Sequence, residues 1–205
     1  QIEIQVKPSI NVNGGPLGFA SPYYPAAFFP GNIPGIYSPF AMTHIITGVD
    51  PDLNSFDGEI TFNWHPAVGL TNDCTIPHTS CGYDLYSVAL HELTHALGWA
   101  SLITENSVTF LPKSATGFNQ FTSYDNQFLY FGANLTALNK ILVSGNINSS
   151  LPANCISNDK VWLLGNNAFH NNQPIYSRPP YQSGTTLSHF DPDYSIQRSH
   201  DAPGF

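Results

Sequence analysis

Tyr83-Asp84-Leu85-Tyr86-Ser87-Val88-Ala89-Leu90-His91-Glu92-Leu93-Thr94-His95-Ala96-Leu97-Gly98 is the stretch on which the reading of this chain turns. Its apolar residues Leu85, Val88, Leu93, Ala96 and Leu97 recur at helical spacing, which predicts a helix from about Tyr83 to Leu97. Gly98 supplies the stop, because glycine readily takes the left-handed conformation that ends a helix. On such a helix His91 and His95 project from one face, about 6 Å apart along the axis, a spacing at which both imidazoles can bind one tetrahedral ion. Glu92 stands about 100° around the helix from His91. That direction suits a base reaching a water on the metal better than a direct ligand. A chance match to this pattern has odds on the order of one in a hundred, and a helix with a glycine stop lowers them further. A closed structural zinc would need four Cys/His ligands, and the cysteines lie far from the motif in sequence.

Upstream, Ile60-Thr61-Phe62-Asn63-Trp64 alternates apolar and polar residues, follows the turn signal Asp57-Gly58 and stops at Pro66, so it predicts a strand. Ile2, Ile4 and Val6 predict a half-buried opening strand. From Asn13 to Phe40 glycine, proline and aromatics are dense, which predicts an ordered loop without long helix or regular sheet. Downstream, residues 133–143 suggest a shorter second helix and Val161-Trp162-Leu163-Leu164 a buried strand, with mostly loop from Asn166 to Phe205. No repeat and no sharp change of composition divides the 205 residues, so a single domain is expected.

Composition narrows the partners. Hydrophobic residues make up 41% and aromatics 13%, as in globular proteins, but charged residues only 10%, against about a quarter in ordinary soluble domains. Such an uncharged polar surface, with Gln1 at the start and no initiator Met, leans toward a secreted, processed protein. The net charge of −8 and the lack of any Lys/Arg cluster argue against nucleic acid. No apolar run approaches the ~18 residues that cross a bilayer. Cys74 and Cys81 bracket a short polar loop and are expected to form a disulfide, worth roughly 2–3 kcal/mol. Cys155 is then the odd cysteine, with a partner outside this chain as one option. Asn134-Leu135-Thr136 and Asn148-Ser149-Ser150 fit the glycosylation pattern.

A catalytic site needs a third protein ligand, drawn from the remaining histidines and carboxylates. The motif resembles that of the metzincin clan of zinc endopeptidases, whose pattern continues through a glycine to a third histidine six residues after the second. Gly98 fits that pattern, but Ser101 stands where the histidine belongs. The chain is therefore more similar to the leishmanolysin-like arrangement, in which a long insertion precedes the third histidine. It also resembles secreted bacterial zinc proteases in the segment 83–98 and in Gly184-Thr185-Thr186-Leu187-Ser188-His189-Phe190-Asp191.

The resemblance covers roughly residues 55–100 and 160–191 and implies His189 as third ligand, with His200 as the fallback. His44, His65, His78 and His170 are expected to be surface or packed histidines. By the same resemblance Thr61, Phe62, Asn63 and Trp64 would belong to the edge strand of a cleft that pairs with an extended peptide substrate; an ordinary interior strand is the alternative. Metzincins carry a methionine turn after the third histidine, yet Met42 is the only methionine. The expectation is a chain that stops before that turn, with a C-terminal remainder of the same precursor. Asp50, Asp52, Asn54 and Asp57 form an acidic loop suggestive of a calcium site, although Ser55 and Thr61 stand where an EF-hand needs Gly and Glu.

The expected architecture is α+β: a twisted mixed sheet of zincin or metzincin type, the helix of the motif behind it, and an irregular C-terminal part, from about residue 101, carrying the third ligand. The expected function is that of a secreted zinc endopeptidase with one catalytic ion and a protein or peptide substrate. Two readings remain beside it, a zinc-bearing adhesion or binding module of the same fold and an amidase or esterase acting on a non-peptide substrate.

Overall fold

The computed structural model describes residues 1–10, 15–24, 35–71, 83–106, 120–131, 138–144, 146–158, 160–164, 173–177, 179–182 and 187–189. The chain is of mixed α and β structure and forms two compact units, Gln1–Ala27 with Ser38–Trp99 and Phe28–Tyr37 with Ala100–Phe205.

The first unit is built on a three-stranded mixed sheet. Strand β1 (Ile4–Ser9) runs parallel to β4 (Gly58–Asn63), and β2 (Gly18–Pro22) pairs antiparallel with the other side of β4. The predicted strand at 60–64 is thus real, but it is the middle of the sheet. Both its edges are hydrogen-bonded, so the expectation of a substrate-binding edge strand at Thr61, Phe62, Asn63 and Trp64 is corrected. The prediction that residues 13–40 exclude regular sheet is also corrected, since β2 pairs with β4 over five residues, from Gly18 opposite Phe62 to Pro22 opposite Gly58. Proline is tolerated there because β2 is an edge strand.

Helix α1 (Phe40–Thr47) has no counterpart in the sequence reading; Pro39 precedes it and Gly48, at φ 70°, ends it. Helix α2 (Leu85–Ala96) is the predicted one. Asp84 caps it, its carboxylate accepting from the Ser87 backbone N–H at 2.8 Å and the Ser87 hydroxyl at 2.6 Å. The short β5 (Leu70–Thr71) and β6 (Tyr83–Asp84) pair in parallel just before it. The apolar stripe of α2, Leu85, Val88, Ala89, Leu93 and Ala96, packs on Ile4, Ala20, Ile60 and Phe62 of the sheet. Burial of Ile60 and Phe62 alone contributes roughly 1.5–3 kcal/mol each.

Gly98 behaves as its position predicts, with φ 111°, and a Cβ there would lie 2.5 Å from Cγ of Pro39. Gly98→Ala should therefore cost about 2–4 kcal/mol from backbone strain and overpacking together, read as a fall in the midpoint of chemical denaturation. An unchanged midpoint would contradict the packing described.

In the second unit β3 (Ile36–Tyr37) pairs in parallel with β7 (Phe121–Thr122), and a four-stranded sheet runs β13 (Gln173–Pro174), β12 (Val161–Leu163), β8 (Phe128–Phe131), β9 (Leu138–Lys140). β12 is the strand expected at 161–164. The helix expected at 133–143 is not formed over its described part: β9 pairs antiparallel with β8, and β10 (Leu142–Val143) turns back on β11 (Asn146–Ile147). Strand pairing and the burial of Ile141 and Leu142 outweigh a local helical spacing that β-branched Ile141 and Val143 already weaken. The core comprises Ile103, Phe121, Phe128, Ile141, Ile156, Val161, Ile175 and Leu187, all essentially inaccessible.

Cys155 is buried and forms no disulfide among the described residues. Cys74, Cys81, His78, Asn134, His170 and His200 lie outside the described residues, and with them the expected disulfide. At the second glycosylation tripeptide the Asn148 amide nitrogen donates to the Lys140 carbonyl at 3.2 Å.

Candidate metal centre

Helix α2 brings His91 and His95 together as its spacing requires. Their Nε2 atoms are 3.1 Å apart and their rings meet edge to face. Two ligand atoms at about 2.0–2.1 Å from a tetrahedral ion stand about 3.3 Å from each other, so the pair fits one ion with almost no adjustment. The Nδ1 atom of His95 lies 2.6 Å from the backbone carbonyl oxygen of Trp99. A carbonyl only accepts, so Nδ1 carries a proton, and Nε2 is the nitrogen whose lone pair the neutral ring offers on the side of His91. This is the tautomer a metal ligand needs, fixed by a hydrogen bond of the kind that commonly orients ligating histidines. Trp99 has no signal in the sequence, since its contribution is a backbone carbonyl just beyond the Gly98 turn.

Glu92 follows His91 directly, about 100° around the helix. It continues the stripe of α2 that faces the sheet and is 6% exposed, in contrast to Tyr86 and Leu90 on the exposed outer face. Its side chain passes over Gly18 of β2, where an added Cβ would stand 3.1 Å from the Glu92 Cγ and 3.4 Å from its Cδ. Glycine at 18 thus makes room for the carboxylate, a role the sequence does not disclose. Desolvation in this place pushes the Glu92 carboxyl up to about 7 in the metal-free protein. A group so placed can hold or release a proton near neutrality, as a general base requires.

His189 belongs to the second unit, half-buried on a turn whose backbone is held from both sides. Leu187 donates to the Tyr176 carbonyl, and Tyr176 donates to the His189 carbonyl, each at 2.8 Å. Leu187, at φ 68° and fully buried, forms the bend. Ser101, which occupies the compact third-ligand position, holds this turn: its backbone N–H donates to the Ser188 hydroxyl at 3.1 Å, and its own hydroxyl donates to the fully buried Asp125 at 2.6 Å. Desolvation pushes the Asp125 carboxyl up to about 6 despite the hydrogen bonds from Ser101, Thr122 and Leu102 that pull it down.

The remaining expected site residues have structural surroundings. Asn63 is buried, donating to the Pro16 carbonyl at 3.2 Å and accepting from the His65 N–H at 3.1 Å. Phe62 and Trp64 have ring centroids 6.1 Å apart, and Thr61 is buried. In the acidic loop Asp52 accepts from the Asn54 N–H at 3.0 Å and the Ser55 hydroxyl at 2.8 Å, bonds that hold a turn and lower its pKa.

The chain matches no family model, no curated protein and no solved structure.

Proposed function

We propose that this protein is a zinc-dependent endopeptidase of metzincin-like architecture, secreted by the cell that makes it, with His91, His95 and His189 as ligands and Glu92 as general base. The observation that carries this reading is the pairing of a preset two-imidazole chelate with a buried carboxylate on the next residue of the same helix. A helix lying on a mixed sheet and ending at glycine supports the architecture. His189 is favoured as third ligand by the anchoring of its turn to Ser101, which follows His95 by only six residues. Six residues of chain span at most about 20 Å, a short tether for closing a metal site.

Zinc held by these histidines would lower the pKa of a coordinated water toward about 7 and polarise a substrate carbonyl. Glu92 takes the proton from the attacking water and later delivers it to the leaving amine. The outer edge of β2 has no strand partner among the described residues, and β2 passes beside Glu92 at Gly18, so an extended peptide is placed along β2 by strand addition. The scarcity of charged residues supports an extracellular setting, and no described helix is long and apolar enough to cross a membrane.

Digestion of a mixed peptide library tests the reading. Cleavage should vanish after treatment with a chelator and return on adding zinc. Cleavage that persists in excess chelator, or a zinc-loaded protein that cuts no peptide, would overturn it.

A further inference from the structure

The first unit contains a second group of metal-ligating side chains, His44 on α1 with Asp50 and Asp57 from the loop that leads into β4. Each offers one ligand atom, and these atoms lie within 4.8 Å of one another. His44 is 8% exposed and Asp57 4% exposed, with Asp50 half-buried. The Nδ1 atom of His44 is buried without a hydrogen-bond partner and lies 3.5 Å from Oδ1 of Asp57, close to the ~3.3 Å edge of a tetrahedral zinc site. Its Nε2 is already taken up by the nitrogen of Gln1, at 3.3 Å.

The carboxylates are oriented by bonds on their other oxygens. Asp57 Oδ2 accepts from the Glu3 N–H at 2.8 Å, which leaves Oδ1 toward His44, and Asp50 Oδ1 accepts from the Asp52 N–H at 2.9 Å. Among the described residues no lysine or arginine pairs with either carboxylate. Two acidic groups and an imidazole nitrogen that makes no hydrogen bond among the described residues therefore converge in a place that excludes most solvent, and the cationic group beside them is the Gln1 nitrogen on the far side of the His44 ring. A buried unpartnered nitrogen costs roughly 1–3 kcal/mol, and a divalent ion would remove that cost while neutralising the carboxylates.

We propose that His44, Asp50 and Asp57 form a second site for a divalent transition-metal ion of the zinc class, distinct from the His91/His95 centre. The imidazole selects for zinc over calcium, which prefers six to eight oxygen ligands. The site takes Asp50 and Asp57 from the acidic loop but leaves out Asp52, whose carboxylate is occupied by Asn54 and Ser55. An ion at this location has a structural role, because Asp57 also bonds through its backbone with Glu3 just before β1, and the ion ties α1 to the sheet.

Zinc titrated calorimetrically into chelator-stripped protein tests this. The whole protein should bind two equivalents. The double variant His91→Ala/His95→Ala should keep one, which separates this site from the proposed catalytic centre. His44→Gln and Asp50→Asn should each reduce two equivalents to one; Asp50→Asn alters only a half-buried side chain and keeps the test valid if the histidine variant fails to fold. In the His91→Ala/His95→Ala background zinc should raise the melting temperature, and adding Asp50→Asn should abolish that rise. No zinc bound by the double variant His91→Ala/His95→Ala, or an unchanged number of equivalents in both single variants, would overturn the proposal. So would a second equivalent that calcium displaces and His44→Gln does not affect.

Discussion

Glu92→Gln should bind zinc as the parent does and lose roughly 10²–10⁴-fold in kcat, the span that general-base groups contribute. The substitution keeps the length and shape that Gly18 accommodates, so packing on β2 is preserved and KM should change little. It removes the carboxylate that, on the proposed reading, takes a proton from the attacking water. Steady-state cleavage of a fluorogenic peptide, with metal content measured on the same sample, reads both effects. A variant that cleaves at the parental rate would end the assignment.

The same variant has a second signature in the metal-free protein. Because the Glu92 pKa is raised from 4.5 to about 7 on folding, its contribution to stability is fully present below about 4.5 and is lost as pH rises through 7. Glutamine has no charge to desolvate. Metal-free Glu92→Gln should therefore melt no lower than the metal-free parent at pH 8.

Asp125→Ala should destabilise the second unit by about 3–5 kcal/mol, because donors on three residues, Ser101, Leu102 and Thr122, lose their shared acceptor. The Ser101 hydroxyl bonds Asp125 Oδ1 at 2.6 Å, the Thr122 N–H bonds Oδ2 at 3.0 Å, and the Leu102 N–H also donates to it. These bonds surround a side chain with no exposure to solvent. Denaturant titration followed by tryptophan fluorescence reads the loss. A change below about 1 kcal/mol would mean that the network is not formed.

The pH dependence has a definite sign. The folded pKa of Asp125, about 6, is above its ordinary 3.8, so its contribution to stability is present below about 3.8 and lost as pH rises through 6. Asp125→Asn should flatten the pH profile in that window. Since Ser101 also holds Ser188, release of Asp125 should loosen the turn of His189 and reduce cleavage at temperatures where the variant is still folded.

The elements that can be read from sequence are those whose local pattern agrees with their tertiary use. In α2 the spacing of Leu85, Val88, Leu93 and Ala96, the Asp84 cap and the Gly98 stop all point to one helix. At β4 alternation after a turn signal suffices, and at β12 a short apolar run. β2 escapes such a reading because Gly18 and Pro22 are poor strand residues, and only the five-residue match to β4 makes it one. α1 escapes it because Ile45, Ile46 and two threonines weaken helical propensity and Pro39 offers no side-chain cap, although Gly48 is a visible terminator. β9 shows the opposite conflict, a helical spacing overridden by pairing with β8.

For the site, the residue types and their order on one helix are visible in the sequence, including the two-imidazole face. What no sequence pattern reveals is backbone chemistry and shape: the Trp99 carbonyl on His95 and the gap that Gly18 leaves for Glu92. The middle position of β4 is equally hidden, because alternation reports which faces are buried and says nothing about which edges are paired.

The turn after α2 joins two properties that are usually independent. Gly98 reverses the backbone so that the carbonyl of the next residue comes back to a ring on the helix it has just left. The terminator of the helix is thereby also what sets the proton position on an imidazole, so a substitution at this glycine would disturb the proposed metal centre together with the fold.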